Sequence, residues 1–398
     1  MSNDTQPEIR FPGFTEAWEQ RKLGEIAQKV SVGIATSSSE YFTDKETGVP
    51  FVKNQNVKEN WIDDSDLEFI THEFDEANRN KRLKTGDILT VRTGYPGLSA
   101  VVPSHLEGAQ TFTTLITRLK QETALPEYVS AFINSDAGMK QITGMEAGGA
   151  QKNVNAGILQ NLLIDLPSLA EQKAISDCTK LFDTTITLQQ RKLDLLKETK
   201  KGFLQKMFPK NGAKMPEIRF PGFTEDWEQR KVGEIFKVTR GQVLAATETS
   251  ESITEKNIYP VYSSQTKNDG LMGYYSDYLF DTAITWTTDG ANAGTVNYRN
   301  GKFYSTNVNG VLLSDKGYAN KAVAEIINRI AWKHVSKVGN PKLMNNVMSE
   351  IIITIPSVEE QETISRFFTQ LDSTITLHER ELDLLKETKK GFLQKMFV

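Results

Sequence analysis

The residue types that most often carry catalytic or metal chemistry are few in this 398-residue chain. A single cysteine, Cys178, excludes an internal disulfide, and the four histidines are widely scattered, which argues against a zinc site. The sequence contains no GxxxxGKS/T phosphate loop, no HExxH, no GxSxG and no CxxC motif. Without an activated nucleophile, a metal cluster or a cofactor loop, the chain is predicted to bind rather than to catalyse.

Clusters of arginine, lysine, amide and aromatic residues are the chemistry that the chain does offer. In the first half they are Lys53, Asn54, Gln55 and Asn56; Arg92, Thr93 and Tyr95; Gln110; and Gln151, Lys152 and Asn153. In the second half they are Arg240 and Gln242; Gln265 and Lys267; Thr288 and Asn292; and Asn340 and Lys342. Such side chains can donate and accept hydrogen bonds to a polar ligand. A solvated loop is the alternative interpretation for any one cluster.

Two repeated blocks enclose these clusters. Residues 7–26 recur as residues 216–235 with two substitutions, and residues 193–208 recur unchanged as residues 382–397. The segments between the blocks, 27–165 and 236–354, share little sequence. Solenoids need at least three repeats, so two copies favour a pseudo-dimer with an approximate two-fold axis. The repeated blocks, which we call the frame, should then bind identical partners, and the unlike segments should bind unlike ligands. The alternative is a recent duplication in which the frame has not yet diverged in sequence.

Both variable segments combine short strand-like runs with one helical pattern. The predicted strands are 49–52, 87–91, 100–102 and 114–117 in the first segment, and 259–262, 283–286, 294–296 and 311–313 in the second. The predicted helices cover 127–142, with a break near Gly138, and 321–334. In the repeated block, Thr15 is predicted to cap a short helix through Trp18 and Leu23.

A long helix follows each variable segment. Ser168 and Glu171 form the pattern of a capping box, repeated at Ser357 and Glu360, in which each glutamate carboxylate should reach back to the serine N–H. Apolar residues three, four and seven apart then predict a coiled-coil seam. The seam residues are Ile175, Cys178, Phe182, Ile186, Leu193, Leu196, Phe203 and Met207, and in the second copy Ile364, Phe367, Leu371, Ile375, Leu382, Leu385, Phe392 and Met396.

About 40 residues of helix make a rod of roughly 60 Å whose apolar seam needs a partner, and the other copy is available. The two-fold axis favours antiparallel pairing. We therefore predict an α+β fold in which two long helices, forming an antiparallel coiled coil with pseudo-two-fold symmetry, join two β-rich domains with short helices. The predicted domains are residues 1–166 and 216–355, the long helices residues 167–208 and 356–398, and the linker residues 209–215.

The overall charge and hydropathy limit the function classes. The net charge of −4 does not by itself indicate a nucleic-acid binder, so any such role must depend on local patches. No apolar run of about 18 residues occurs, and the N-terminus lacks the layout of a signal peptide. A cytoplasmic protein with no membrane partner is expected.

Taken together, these features resemble the specificity subunits of type I restriction-modification systems. The resemblance rests on two variable segments that each end in a Pro-Ser step before a helix bearing Glu171-Gln172 or Glu360-Gln361. Residues 86–89 with 92–94, and residues 148–153, are similar to target-recognition-domain motifs of that family. The resemblance covers nearly the whole chain.

This resemblance implies a non-catalytic reader of double-stranded DNA. Each target-recognition domain would contact one half of a bipartite site through the clusters named above, with Arg, Lys, Asn and Gln at base edges. The helical rod would set the gap, since one DNA turn of about 34 Å fits within it. The alternatives are a stand-alone two-headed DNA-binding regulator and a protein adaptor, and the acidic net charge favours the adaptor.

The resemblance also implies partners and their cofactors. The frame would bind two modification subunits, which carry S-adenosylmethionine and methylate adenine. Restriction subunits with ATP-driven translocation, which use ATP and Mg²⁺, would join that core. No cofactor is expected in this chain itself.

Overall fold

The fold is taken from a computed structural model, which describes residues 7–120, 122–145, 153–210, 213–264 and 267–397. The chain divides into two compact units. Unit 1 comprises residues 1–190 and 381–398, and unit 2 comprises residues 191–380. Each unit therefore contains one variable segment and a part of each long helix, so the segments predicted as separate frame helices are shared between the units.

Short strands make up most of the first variable segment. They are β1 (Glu19–Lys22), β2 (Ala27–Val32), β3 (Phe42–Thr43), β4 (Val49–Val52), β5 (Val57–Lys58), β6 (Trp61–Ile62), β7 (Glu68–Ile70), β8 (Ile88–Thr90), β9 (Ser99–Val101), β10 (Gln110–Thr111), β11 (Leu115–Leu119) and β12 (Leu163–Leu166). The helices are α1 (Leu23–Ile26), α2 (His72–Ala77), α3 (Pro126–Asn134), α4 (Asp136–Met145), α5 (Ala156–Gln160) and the long α6 (Leu169–Lys206). The four predicted strands are confirmed as β4, β8, β9 and β11.

The core sheet of unit 1 has the strand order β2-β11-β8-β9, with every pair antiparallel. A second sheet has the order β10-β4-β7-β3, and β1 pairs with β12 alone. Ile88, Leu115 and Phe132 belong to one buried cluster, in which α3 covers the core sheet. The apolar face of a sheet must be buried in this way, which places α3 on one face of the sheet.

The second variable segment contains fewer and longer strands. They are β13 (Glu228–Lys231), β14 (Lys237–Arg240), β15 (Tyr259–Tyr262), β16 (Leu271–Tyr275), β17 (Phe280–Thr287), β18 (Val296–Ser305), β19 (Asn309–Leu313) and β20 (Ile352–Ile355). The helices are α7 (Val232–Ile235), α8 (Lys321–Ala331), α9 (Asn345–Glu350) and the long α10 (Val358–Met396). Strands β15, β17 and β19 and helix α8 confirm predictions, whereas β18 begins only at the last residue of the predicted run 294–296.

Unit 2 repeats the topology of unit 1. Its sheet has the order β14-β19-β17-β18-β15-β16, so the first four strands match β2-β11-β8-β9, and β13 pairs with β20 as β1 does with β12. One hydrogen bond recurs as well. The Ser99 N–H donates to Asn134 Oδ1 at 2.8 Å, and the Val296 N–H donates to Asn328 Oδ1 at 3.0 Å. Two unlike sequences therefore build one domain topology.

The two long helices pair through the predicted seam, and every seam residue is buried or half-buried. In unit 1 the rings of Phe182 and Phe392 lie 5.7 Å apart. In unit 2, Lys200 pairs with Asp372 and Lys197 with Glu379, each at 2.7 Å. Within unit 2 the residue numbers rise along one helix as they fall along the other, so pairing is antiparallel, as predicted. The α+β class with two long paired helices is confirmed.

The predicted capping box is only half right. The Glu171 N–H does donate to Ser168 Oγ at 3.4 Å. The Glu171 carboxylate, however, accepts two hydrogen bonds from Arg10, Nε to Oε1 at 2.7 Å and Nη2 to Oε2 at 2.8 Å. Arg219 and Glu360 repeat this bidentate pair in unit 2, with both bonds at 2.7 Å. An arginine fork offers the buried carboxylate two charge-assisted bonds, which the serine N–H cannot match.

Two local predictions are wrong. The helix predicted from Thr15 through Trp18 is instead strand β1 followed by the single turn α1, because the polar residues of β1 pair with β12. The helix break predicted near Gly138 falls at Ser135, between α3 and α4. Gly138 is needed for a different reason: a Cβ there would lie 2.3 Å from the carbonyl oxygen of Phe132.

Among the residues that the structure describes, no helix is both long and apolar enough to cross a membrane. The same part of the chain holds no group of three or more histidine, cysteine, aspartate or glutamate side chains placed to bind a metal ion.

Candidate nucleic-acid interface

The predicted polar clusters of unit 1 meet where the core sheet ends. Asn54 follows β4 and Thr93 follows β8, and the Asn54 Nδ2 lies 3.4 Å from both Thr93 Oγ1 and Thr113 Oγ1. The Val154 N–H donates to the Arg92 carbonyl oxygen at 3.0 Å, which brings Asn153 beside the same loop. Segments far apart in the chain thus form one polar surface, which we call recognition end 1.

Several side chains of recognition end 1 are free for a ligand. Tyr95 is 78% exposed, and Gln55 and Asn153 are exposed as well. In the described part of the chain no carboxylate pairs with Arg92, and its Nε is buried without a hydrogen-bond partner. Lys53 pairs with Glu68, while its ammonium lies 4.9 Å from the centre of the Phe42 ring.

The backbone at recognition end 1 is tightly constrained. Thr113 has φ +58°, which is rare for a β-branched residue and costs about 1–3 kcal/mol. Its N–H donates to the Ile34 carbonyl oxygen at 2.9 Å. Gly33 leaves no room for a side chain, since a Cβ there would lie 2.4 Å from the Thr111 carbonyl oxygen. Strain of this kind concentrates at functional sites.

The predictions for Asn56 and Gln110 as direct ligand contacts need correction. Asn56 is 4% exposed, and its amide accepts from the Lys53 N–H at 2.9 Å and donates to the Asp63 carbonyl oxygen at 3.1 Å. Gln110 is fully buried and donates to Asp75 Oδ1 at 2.9 Å. Both amide groups donate to oxygens of neighbouring segments and so hold those segments in place, because a buried donor takes its hydrogen-bond partner from the protein.

The clusters of unit 2 also come together, at the equivalent end of its sheet. The Leu343 N–H donates to the Thr288 carbonyl oxygen at 2.8 Å, as Val154 does to Arg92 in unit 1. Lys342 Nζ lies 3.4 Å from Asp289 Oδ1, and Arg240 Nη2 donates to the Asn307 carbonyl oxygen at 3.0 Å. We call this surface recognition end 2.

At recognition end 2 the exposed candidates are Arg240, Gln242, Asn292, Asn340 and Lys342. Thr288 is corrected to a structural residue: it is 4% exposed, and its hydroxyl lies 2.8 Å from the Val308 carbonyl oxygen.

Three further predicted contacts, Gln151, Lys152 and Gln265, lie outside the described residues, as does the side chain of Lys267.

Arg299 is a residue of unit 2 that the sequence did not point to. It is 5% exposed, and its guanidinium lies 3.7 Å over the Tyr262 ring, next to the loop after β15. Its Nε donates to Thr285 Oγ1 at 3.1 Å and its Nη2 to the Asp269 carbonyl oxygen at 2.5 Å. Burial lowers the pKa of this guanidinium, and no carboxylate pairs with it among the described residues. Asn268 and Asp269 have φ +50° and +51°, so Arg299 holds a left-handed turn.

Domains of one topology, with unlike polar loops at the same end and joined to a repeated frame, define a two-headed binding protein built by duplication. The chain belongs to the family described as the type I restriction modification DNA specificity domain. The family's sequence model matches residues 15–198 and 224–387, once in each half.

Individual relatives agree with this assignment. A predicted type I specificity subunit from Mycoplasma pneumoniae is 33% identical over 213 residues, 52% of this chain and 80% of that protein. A predicted specificity subunit of the MjaX type I restriction enzyme from Methanocaldococcus jannaschii is 24% identical and spans 95% of this chain and 92% of its own. The crystal structure of the type I restriction-modification S subunit from M. genitalium shares the fold, with 14% identity, a TM-score of 0.66 and 99% of each chain covered.

Proposed function

We propose that the chain is the sequence-recognition subunit of a type I restriction-modification complex. It binds a bipartite site on double-stranded DNA, one half through each recognition end, and directs adenine methylation or restriction by partner subunits. It carries no catalytic residue of its own. The observation that supports this most directly is the placement of unlike polar loops at the same end of two domains of one topology.

The electrostatics of the recognition ends suit a DNA ligand despite the acidic overall charge. Arg92 and Arg240 have no carboxylate partner among the described residues, and Lys342 is exposed beside a single aspartate. Arginine is the residue that most often makes bidentate bonds to guanine, and exposed amides suit adenine. Local cationic and amide groups can therefore supply phosphate and base contacts while the rest of the chain stays acidic.

The repeated frame is the surface we assign to the modification subunits. Exposed leucines lie off the seam on both long helices: Leu188 and Leu384 in unit 1, and Leu195 and Leu377 in unit 2. Leu188 and Leu377 occupy the same repeat position, as do Leu195 and Leu384, so each unit exposes one of these recurring leucines from each helix, an arrangement suited to binding one copy of the same partner; Leu169 and Leu181 are exposed in unit 1 as well. On this assignment the partners are two modification subunits, which carry S-adenosylmethionine. Restriction subunits, which use ATP and Mg²⁺, join them. We also propose a cytoplasmic location, where DNA and these partners meet.

Reconstitution tests the proposal. The chain alone, incubated with DNA and S-adenosylmethionine, should transfer no methyl group, and adding its modification subunit should give adenine methylation at one two-part sequence. Binding to that sequence should weaken steeply as salt rises, because phosphate contacts release counterions. Methyl transfer by the chain alone would overturn the assignment. Salt-independent binding of proteins without DNA binding would favour an adaptor instead.

Domain exchange tests the division of labour. Replacing residues 27–165 by the corresponding segment of another family member should change one half of the methylated sequence and leave the other half intact. A change in both halves would contradict the assignment of one half to each recognition end. The unchanged second segment, 236–354, is the internal control.

A further inference from the structure

The repeat places the same lysine–aspartate pair in both units. In unit 1, Lys389 Nζ lies 2.6 Å from Asp183 Oδ1, and in unit 2, Lys200 Nζ lies 2.7 Å from Asp372 Oδ1. Lys200 and Lys389 occupy the same position of the repeat, as do Asp183 and Asp372. Each pair joins the two long helices inside its own unit and faces the variable domain.

The variable domains supply third residues of opposite charge. In unit 1, Glu59 extends to the lysine of the pair, with its Oε1 2.5 Å from Lys389 Nζ. In unit 2, Lys321 at the start of α8 pairs instead with the aspartate, Asp372. By these ion pairs the first cluster joins one lysine to two carboxylates, and the second joins two lysines to one carboxylate, with Glu325, itself paired with Arg329, near both lysines of the second cluster. The same lysine–aspartate pair therefore contacts an acidic residue, Glu59, in unit 1 and a basic residue, Lys321, in unit 2.

A second frame residue adapts in the same manner. Gln172 and Gln361 are buried, and each donates Nε2 to the carbonyl oxygen of the preceding proline, Pro167 at 2.9 Å and Pro356 at 2.8 Å. The amide oxygen of Gln172 accepts the Leu125 N–H at 2.9 Å. In unit 2 the oxygen of Gln361 accepts from the Asn320 side chain, also at 2.9 Å. The frame glutamine thus meets a backbone donor in one domain and a side-chain donor in the other.

We propose that the frame carries a charge-adaptable docking surface, formed by the lysine–aspartate pair and the glutamine, that fits variable domains presenting either an acid or a base. A lone half-buried charge accepts only its opposite, because an unpaired or like charge there is costly. A pair of opposite charges offers one suitable partner to each sign. The domain-side residue can then change sign while the three frame residues stay the same, as they do at the paired positions Lys200 and Lys389, Asp183 and Asp372, and Gln172 and Gln361.

A double-mutant cycle in the full-length chain tests this directly. Glu59→Lys should lower the thermal unfolding midpoint by less than about 2 °C, because Asp183 can accept the new lysine as Asp372 accepts Lys321. In an Asp183→Asn background the same substitution leaves two lysines without an acid, and the midpoint should fall by about 5 °C or more relative to Asp183→Asn alone. The mirror cycle in unit 2 uses Lys321→Glu in the wild-type chain and in a Lys200→Met background.

Two controls separate docking from a general charge effect. Asp177→Lys reverses a charge in the exposed pair with Lys173 and should change the midpoint by less than about 2 °C in either background. Equal losses from Glu59→Lys with and without Asp183 would overturn the proposal. If Asp183→Asn does not fold, the unit 2 cycle still decides the matter, since it alters neither Asp183 nor Glu59. These measurements read stability only, so they stand or fall independently of DNA recognition.

Discussion

Units 1 and 2 share a strand order and a set of frame contacts, yet they fix their recognition ends by different chemistry. In unit 1 the Asn56 amide bonds to backbone groups on both sides of its loop. In unit 2 the Arg299 guanidinium lies over Tyr262 and holds the Asp269 carbonyl oxygen. Core sheet and frame therefore set the topology, while each recognition end has its own internal support and can vary without disturbing the domain.

The frame itself responds to the domain it carries. In unit 1, burial and then the charge of Glu59 outweigh Lys389 and raise the pKa of Asp183. At the same repeat position in unit 2, burial opposes ionisation, but Lys200 and Lys321 outweigh it and lower the pKa of Asp372. Identical residues thus acquire opposite pKa shifts: burial prevails at Asp183, where the domain adds the acid Glu59, whereas at Asp372 the domain adds a second lysine, Lys321, and the two lysines outweigh burial.

The largest expected effect on stability is at the contact that is identical in both units. Glu171→Gln leaves Arg10 half-buried without its carboxylate, and Glu360→Gln does the same to Arg219. Each substitution should lower the free energy of unfolding by about 3 kcal/mol, because breaking one partner of a buried ion pair leaves an uncompensated charge. Urea denaturation of both single variants measures this.

The two losses should agree within about 0.5 kcal/mol, since the bond lengths and burial of the pairs match. Glu25→Gln, in the exposed pair with Arg21, is the control and should cost under about 1 kcal/mol. A loss in one unit several times that in the other would show that the frame contacts are not equivalent.

The next effect distinguishes the two internal supports. Asn56→Ala and Arg299→Met should each lower the free energy of unfolding by about 1–3 kcal/mol, because each leaves buried backbone groups unsatisfied. Each should also relax the methylated sequence in one half only, and in different halves. Mapping of methylated adenines, with the modification subunit present, records both halves at once.

Arg299→Lys keeps the charge but not the planar fork, so it should restore only part of the sequence preference. If Arg299→Met folds and the methylated sequence is unchanged, Arg299 contributes stability alone. Relaxation of both halves by either variant would show that the recognition ends are not independently supported.

The sequence predicted the parts of the fold that depend on periodic apolar residues. The seam of α6 and α10 and the strands β4, β8 and β11 follow from spacing, since their apolar residues face the core. Strand β1 was missed because its residues, Glu19 to Lys22, are all polar and become a strand only by pairing with β12. Tertiary pairing of this kind leaves no local pattern.

The recognition ends show the same limit. Residue type placed the exposed Tyr95 and Gln242 and the half-buried Arg92 in loops, but it could not separate them from Asn56, Gln110 and Thr288, which are buried. The difference lies in hydrogen bonds to residues far along the chain. Arg299 was missed because a charged residue in a strand is usually solvated, and its support by Tyr262 is a tertiary contact. For the frame pairs a signal did exist, because Arg10 and Glu171 both recur.

A smaller effect should appear in the pH dependence of the frame pairs. The raised pKa of Asp183 means that the folded chain binds its proton more tightly than the unfolded chain. The contribution of Asp183 to the free energy of unfolding therefore becomes more favourable as the pH falls. The change lies between the raised pKa of the folded chain and the ordinary pKa of about 3.9 in the unfolded chain. Asp372 has a lowered pKa, so its stabilising contribution is present above the ordinary value and is lost as pH falls through the lowered one.

Denaturation between about pH 3 and pH 7 measures these slopes in wild type, Asp183→Asn and Asp372→Asn. The wild-type advantage over Asp372→Asn should shrink as the solution is acidified, while that over Asp183→Asn should grow. Slopes of the same sign would mean that the domain-side charges of Glu59 and Lys321 do not govern the frame carboxylates.

The smallest change in stability should come from the exposed residues of the recognition ends, where the functional change should still be clear. Tyr95→Ala and Gln242→Ala remove side chains that bury little, so the free energy of unfolding should move by no more than about 0.5 kcal/mol. Because we assign both side chains to DNA contacts, each substitution should weaken recognition of its own half-site by about 1–3 kcal/mol, roughly a tenfold to hundredfold loss in affinity.

Val338→Ala, at a residue that is also exposed in unit 2 but whose side chain has no hydrogen-bonding group, is the matched control and should change neither quantity. Titration of duplexes mutated in one half at a time would assign each residue to a half-site. Unchanged affinity for both halves would remove that residue from the interface while leaving the paired architecture of the two units intact.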